Sequence, residues 1–148
     1  MRTPCSDYVE TSGVIFFARM LEKIRLKNAG ELPPDYNFVG NGVWDSFDAR
    51  FCRFFDVDEA ALTKRALEGG TNEEILEWCF QKFGRPNEEK IRAWNSYLAK
   101  RGWSDESSEE LEQVKSAHGF GARGDIQTWI DFHDADEGRT PRSKVRIS

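Results

Sequence analysis

Cysteine is scarce and poorly placed for cross-linking: Cys5, Cys52 and Cys79 are odd in number, widely spaced and without a CxxC unit. Such a set does not frame a disulfide-rich fold, so reduced thiols are expected. Long apolar runs are also missing. The opening "MRTPCSDYVETSG" lacks the apolar stretch of a signal peptide, and "GVIFFA" is too short to span a bilayer before Arg19, Glu22 and Lys23 interrupt it. A cytoplasmic protein without a membrane segment is the expectation. Positive charge is in the minority, 21 Lys and Arg against 26 Asp and Glu, for a formal charge of -5. That balance disfavours a general binder of phosphate backbones and leaves a local site for a small anion open. No sustained valine or isoleucine alternation suggests a sheet, and no internal repeat is present.

What remains is bulky and helical. Hydrophobic residues make up 39% of 148, with 11 Phe and 5 Trp, enough to close one core but not two. A first helix is predicted from about Thr11 to Ala29, capped by Thr11 or Ser12 and stopped by Gly30. On its wheel Phe17, Met20, Leu21 and Ile24 share one arc and Arg25 lies at the arc's edge, whereas Arg19, Glu22 and Lys23 point away. A second helix covers about Asp45 to Phe55, starting as late as Ser46. Asp56 and Glu59 suggest a capping box for "VDEAALTKRALE", and Thr71 and Glu74 repeat the pattern for "NEEILEWCFQKF". Asn87 caps the next helix, Ser104 or Asp105 a more polar one, and a site near Asp125 a last helix carrying Ile126, Trp129, Ile130 and His133. The expected fold is all-α, an irregular single-domain bundle of about six or seven short helices over residues 8–138. A loose basic tail, 139–148, follows.

The stretches "FFARMLEKIRLKNAGELP", "GVWDSFDARFCRFFDVD", "GGTNEEILEWCF", "GRPNEEKIRAWNSYLAKRGWSDE" and "GARGDIQTWIDFHDADEGR" together resemble a bacterial family, domain of unknown function 5069. The resemblance runs from Tyr8 to Arg139. It implies a small, helical, cytoplasmic protein and carries no activity, cofactor or catalytic residue.

Candidate sites therefore come from the residues themselves. Arg25 offers a guanidinium fork to Asp45 or Asp48, or to a ligand. Arg50 and Arg53 flank Cys52, and cations can stabilise a thiolate, although a cysteine between Phe51 and Phe54 is also a small hydrophobe. Asp48, Cys52 and His133 are the catalytic candidates. Arg25, Trp44, Arg50 and Arg85 are the ligand-binding ones, Arg85 because it precedes the Asn87-capped helix start. His133, Asp136 and Glu137 could share a divalent metal, yet no EF-hand order or HExxH accompanies them, and solvated helix-end acids are the alternative. No cofactor is expected. Trp44, Trp78 and Trp103 are candidates for an exposed surface that meets a protein partner or a second copy of the chain. Two functions stay open: a binding or regulatory module for a protein or small anion, and a small-molecule enzyme with Arg25, Asp48, Arg50 and Cys52 around a pocket near Trp44.

Overall fold

Ser12 and Gly13 decide how the chain starts. Both take positive φ, 48° and 84°, the geometry of a tight two-residue hairpin turn, so the expected long first helix begins instead as a ribbon. In the computed structural model, which describes residues 1–142, β1 (Glu10–Thr11) pairs antiparallel with β2 (Val14–Ile15), Glu10 opposite Ile15. Phe16 then turns the chain in a left-handed conformation, φ 77°, and α1 (Phe17–Asn28) follows without a side-chain cap. A buried phenylalanine in that region costs about 1–2 kcal/mol, which its surroundings must offset. α5 supplies part of the compensation. Trp94 Nε1 donates to the Ile15 carbonyl at 3.1 Å, and Asn95 accepts from Ile15 N and donates to the Gly13 carbonyl.

Six more helices complete an all-helical single domain among the described residues: α2 (Phe47–Phe54), α3 (Glu59–Leu67), α4 (Asn72–Phe83), α5 (Glu88–Lys100), α6 (Ser108–Ala117) and α7 (Trp129–Asp136). The Thr71/Glu74 capping box and the Asn87 cap form as predicted. Other caps shift by a few residues. Asp58 caps α3 because Asp56 is spent on a positive-φ turn, and Thr128 rather than Asp125 caps α7. Asp105 bonds Gly102 N and Ser107 in the turn before α6, whose own start at Ser107 has no side-chain cap. Gly102 is required there: a Cβ would lie 2.8 Å from Leu111 Cδ2 and 3.0 Å from the Trp129 ring.

The apolar face of α1 meets α3 and α4 in a core with Phe51, Leu62, Ile75, Leu76, Cys79, Trp94 and Leu98. A smaller cluster, Leu111, Ile126 and Phe132, joins α6 to α7. α1 is covered on its other side as well. Arg19 and Lys23, which the wheel turns towards solvent, are 3% and 4% exposed. The supposed tail also starts packed: Pro141 is buried, Arg139 donates to the Pro4 carbonyl, and the Arg142 guanidinium lies 4.3 Å from the Tyr8 ring. The rest of that segment lies outside the described residues. Among those described, no helix is long and apolar enough to cross a membrane.

Candidate functional site

Burying Arg19 and Lys23 demands counter-charges, because an unpaired ion away from water costs several kcal/mol. Three other parts of the chain supply them. α7 contributes Glu137, just past its end, whose two oxygens accept from Arg19 Nη1 and Nη2 at 2.8 and 2.7 Å in a parallel fork. The N-terminal segment contributes Asp7, fully buried and 3.6 Å from Arg19 Nε. α2 contributes Asp48, which accepts from Lys23 Nζ at 2.7 Å. Ser46 caps α2 through Ala49 N, which sets Asp48 in the first turn, where the helix dipole favours a carboxylate.

Arg19, Lys23, Asp48 and Glu137 floor a cavity of about 380 Å³ between α1, α2, α7 and the turn before α6. Phe16, Phe47, Trp129 and Phe132 form its apolar wall, and both histidines of the chain, His118 and His133, line it. Its lining carboxylates, Asp35, Asp45, Asp48, Glu110, Asp136 and Glu137, outnumber Arg19, Lys23, Arg50 and Arg101. Arg19 and Lys23 are already matched, and Arg101 is bonded to Glu106 at 2.7 Å. Arg50 donates to the Asp45 carbonyl and to the Tyr97 hydroxyl. The cavity therefore has an acidic balance.

Electrostatics follow from the burial. Burial pushes the Asp7 carboxyl up, but His133 and Arg19 beside it hold it down at about 2. Burial works against the Arg19 charge, yet Asp7 and Glu137 raise it above the ordinary arginine value. Burial also lifts Asp48 above the usual carboxylate range, with Lys23 pulling the other way. A depressed carboxylate contributes stability that is present above its unfolded value, 3.8, and is lost as pH falls through its folded value. Asp7 should thus make the unfolding free energy drop by about 2 kcal/mol as pH falls from about 4 to about 2. Urea titrations across that range measure the drop, and in Asp7→Asn the profile should be flatter.

A family model described as domain of unknown function (DUF5069) matches residues 1–139, which takes in every element of this floor. The chain belongs to the DUF5069 family. No curated protein matches it. The match begins at residue 1 rather than Tyr8, so the DUF5069 domain includes Asp7, and the Pro4 carbonyl that holds Arg139.

Of the residues singled out in the sequence, the DUF5069 cavity collects Asp48, Arg50, His133, Asp136 and Glu137. Arg25 is not among them. It is half-buried and donates to Asn72 Oδ1 at 3.0 Å, while Asp48, one of the two aspartates expected for it, is held by Lys23. Arg85 is exposed in the segment between α4 and α5, paired with Glu77 and placed over the Phe80 ring. Trp44 is 72% exposed outside the cavity, its ring 3.6 Å from the Arg53 guanidinium. Trp103 is exposed as well, but Trp78 is half-buried against Phe83, contrary to the surface role expected of it. Cys52 is buried in the core, and burial pushes its thiol far above the ordinary cysteine value, the setting of a small hydrophobe rather than of a stabilised thiolate. Cys79 is raised by burial to about 12. The metal reading fails on its third member: Glu137 is taken by Arg19, Arg139 and Tyr36, and no group of three potential ligands is assembled among the described residues. Sequence reasoning missed Asp7, Arg19, Lys23 and Tyr36. The one available signal was the i, i+4 spacing of Arg19 and Lys23, which a solvated face shares.

Proposed function

We propose that this DUF5069 domain is a binding module for a small, neutral or cationic molecule rich in hydroxyl or amine donors. The carrying observation is Asp48. Its Oδ1 is bound by Lys23, while Oδ2, equally buried, has no hydrogen-bond partner among the described residues and belongs to a side chain that lines the cavity. A buried acceptor without a donor is uncommon in folded proteins, and a bound N–H or O–H group satisfies it. The cavity volume falls in the range of small-molecule sites, and an aromatic wall facing a polar, acidic lining suits a ligand with one apolar face and several donors. An anion is a poorer fit, because the floor cations are neutralised and the remaining carboxylates repel it.

A docking surface for a protein partner or a second copy is supported by the exposed Trp44 indole, but nothing at that position selects an occupant. Three free thiols, two of them buried, support a reducing, cytoplasmic setting.

The test is ¹H–¹⁵N NMR with a fragment set balanced among amines, neutral polyols and carboxylates. Amines and polyols should shift the Phe47, Trp129 and His133 resonances, and Asp48→Asn should weaken them about tenfold, as expected for loss of a charge-assisted bond. Shifts produced chiefly by carboxylates, or none at those residues, would contradict the reading.

A further inference from the structure

We propose that His133 is a general base acting on the molecule held in this cavity and that Asp7 is its positioning residue; the inference rests on the cavity being a small-molecule site. The geometry of the two imidazoles separates them. His133 Nδ1 lies 3.1 and 3.2 Å from the oxygens of Asp7, and His118 Nδ1 lies 3.0 Å from the Val114 carbonyl. Carbonyl and carboxylate oxygens only accept, so both rings carry hydrogen on Nδ1, and in the neutral form the lone pair sits on Nε2. Behind His133 stands a buried carboxylate, itself 3.6 Å from Arg19 Nε. Its ring is fixed between Phe47 and Phe132, with centroids 5.9 and 6.3 Å away. His118 is exposed and has a helix-end carbonyl in that position. A carboxylate behind an imidazole fixes the tautomer and stabilises the imidazolium formed when Nε2 takes a proton.

In the step proposed, a C–H or O–H bond of the bound molecule breaks, its proton moves to Nε2, and the electron pair stays on the atom it left or passes into a new π bond as a leaving group departs. The substrate class is a small, non-anionic compound with an acidic C–H or O–H.

The probe is 5-nitrobenzisoxazole, a neutral carbon acid. Loss of its C–H proton to Nε2 sends the electron pair into a C≡N bond and expels the ring oxygen as phenolate, which is read by absorbance. The full chain should turn it over saturably, about a hundredfold faster than free imidazole at equal concentration. His133→Gln should lose about a hundredfold, within the range for a general base, while Arg85→Gln, exposed and outside the cavity, stays near wild type. Long-range ¹H–¹⁵N spectra should give the Nδ1–H tautomer at His133, and Asp7→Ala should abolish that preference. If Asp7→Ala does not fold, the wild-type tautomer decides that part. An Nε2–H tautomer, or a rate that survives in His133→Gln, overturns the proposal. Absence of turnover, with or without shifts of the cavity resonances by the probe, overturns the base; the binding reading stands or falls separately on the amines and polyols.

Discussion

Arg19→Ala should lower the unfolding free energy by about 3–5 kcal/mol, measured from urea or guanidinium denaturation at neutral pH. The magnitude comes from what the substitution leaves behind. Glu137 and Asp7 are 4% and 0% exposed at their side chains, and without the guanidinium two carboxylates face each other's surroundings away from water. Arg139 and His133 compensate in part, since Arg139 also reaches Glu137 and His133 reaches Asp7. Arg19→Lys should fall short of full rescue, because a single ammonium cannot reproduce the parallel fork to Glu137 together with the bond to the Cys5 carbonyl. Arg25→Ala is the internal control. Its guanidinium is half-buried on a neutral amide, so its loss should cost about 1 kcal/mol.

The second large effect is expected at Trp94→Ala, a loss of about 3–5 kcal/mol from a cavity in the core. Trp94 is 1% exposed, with ring centroids 5.2 Å from Phe51, 5.7 Å from Phe54 and 5.9 Å from Phe55. Its Nε1 also fixes the Ile15 carbonyl, and Ile15 precedes the left-handed Phe16 that lines the cavity. Trp94→Phe isolates the polar part: it keeps much of the volume and should cost about 1–2 kcal/mol through the unmet carbonyl. Denaturation midpoints distinguish the two variants, and a Phe variant as unstable as the Ala variant would assign the effect to the hairpin rather than to packing.

Local chemistry was the legible part of this chain. Thr71 with Glu74, and Asn87 after Pro86, announce their helices because a cap needs only residues within three positions. Asp56 misled for the same reason: it has the spacing of a cap, but the turn after α2 uses it in a positive-φ conformation and Asp58 takes over two residues later. The site was illegible because its contacts are remote. Arg19 meets Glu137 across 118 positions, and His133 meets Asp7 across 126. A helical wheel contains neither, so the charged face of α1 reads as solvated and the marginal Arg25 draws attention meant for Lys23. His133 and Glu137, two of the three residues offered to a metal, do line one cavity. Their partners, a carboxylate and a guanidinium, change the chemistry from metal ligation to an ionic floor.

The first helix is buried on both faces, its Lys23 neutralised by Asp48 and its Arg19 by Asp7 and, from the far end of the chain, by Glu137. A double-mutant cycle on Arg19→Ala and Glu137→Gln measures that pairing directly. A coupling energy above about 1.5 kcal/mol is expected for a desolvated ion pair, and a value below about 0.5 kcal/mol, the level of independent sites, would contradict the buried floor and the cavity built on it.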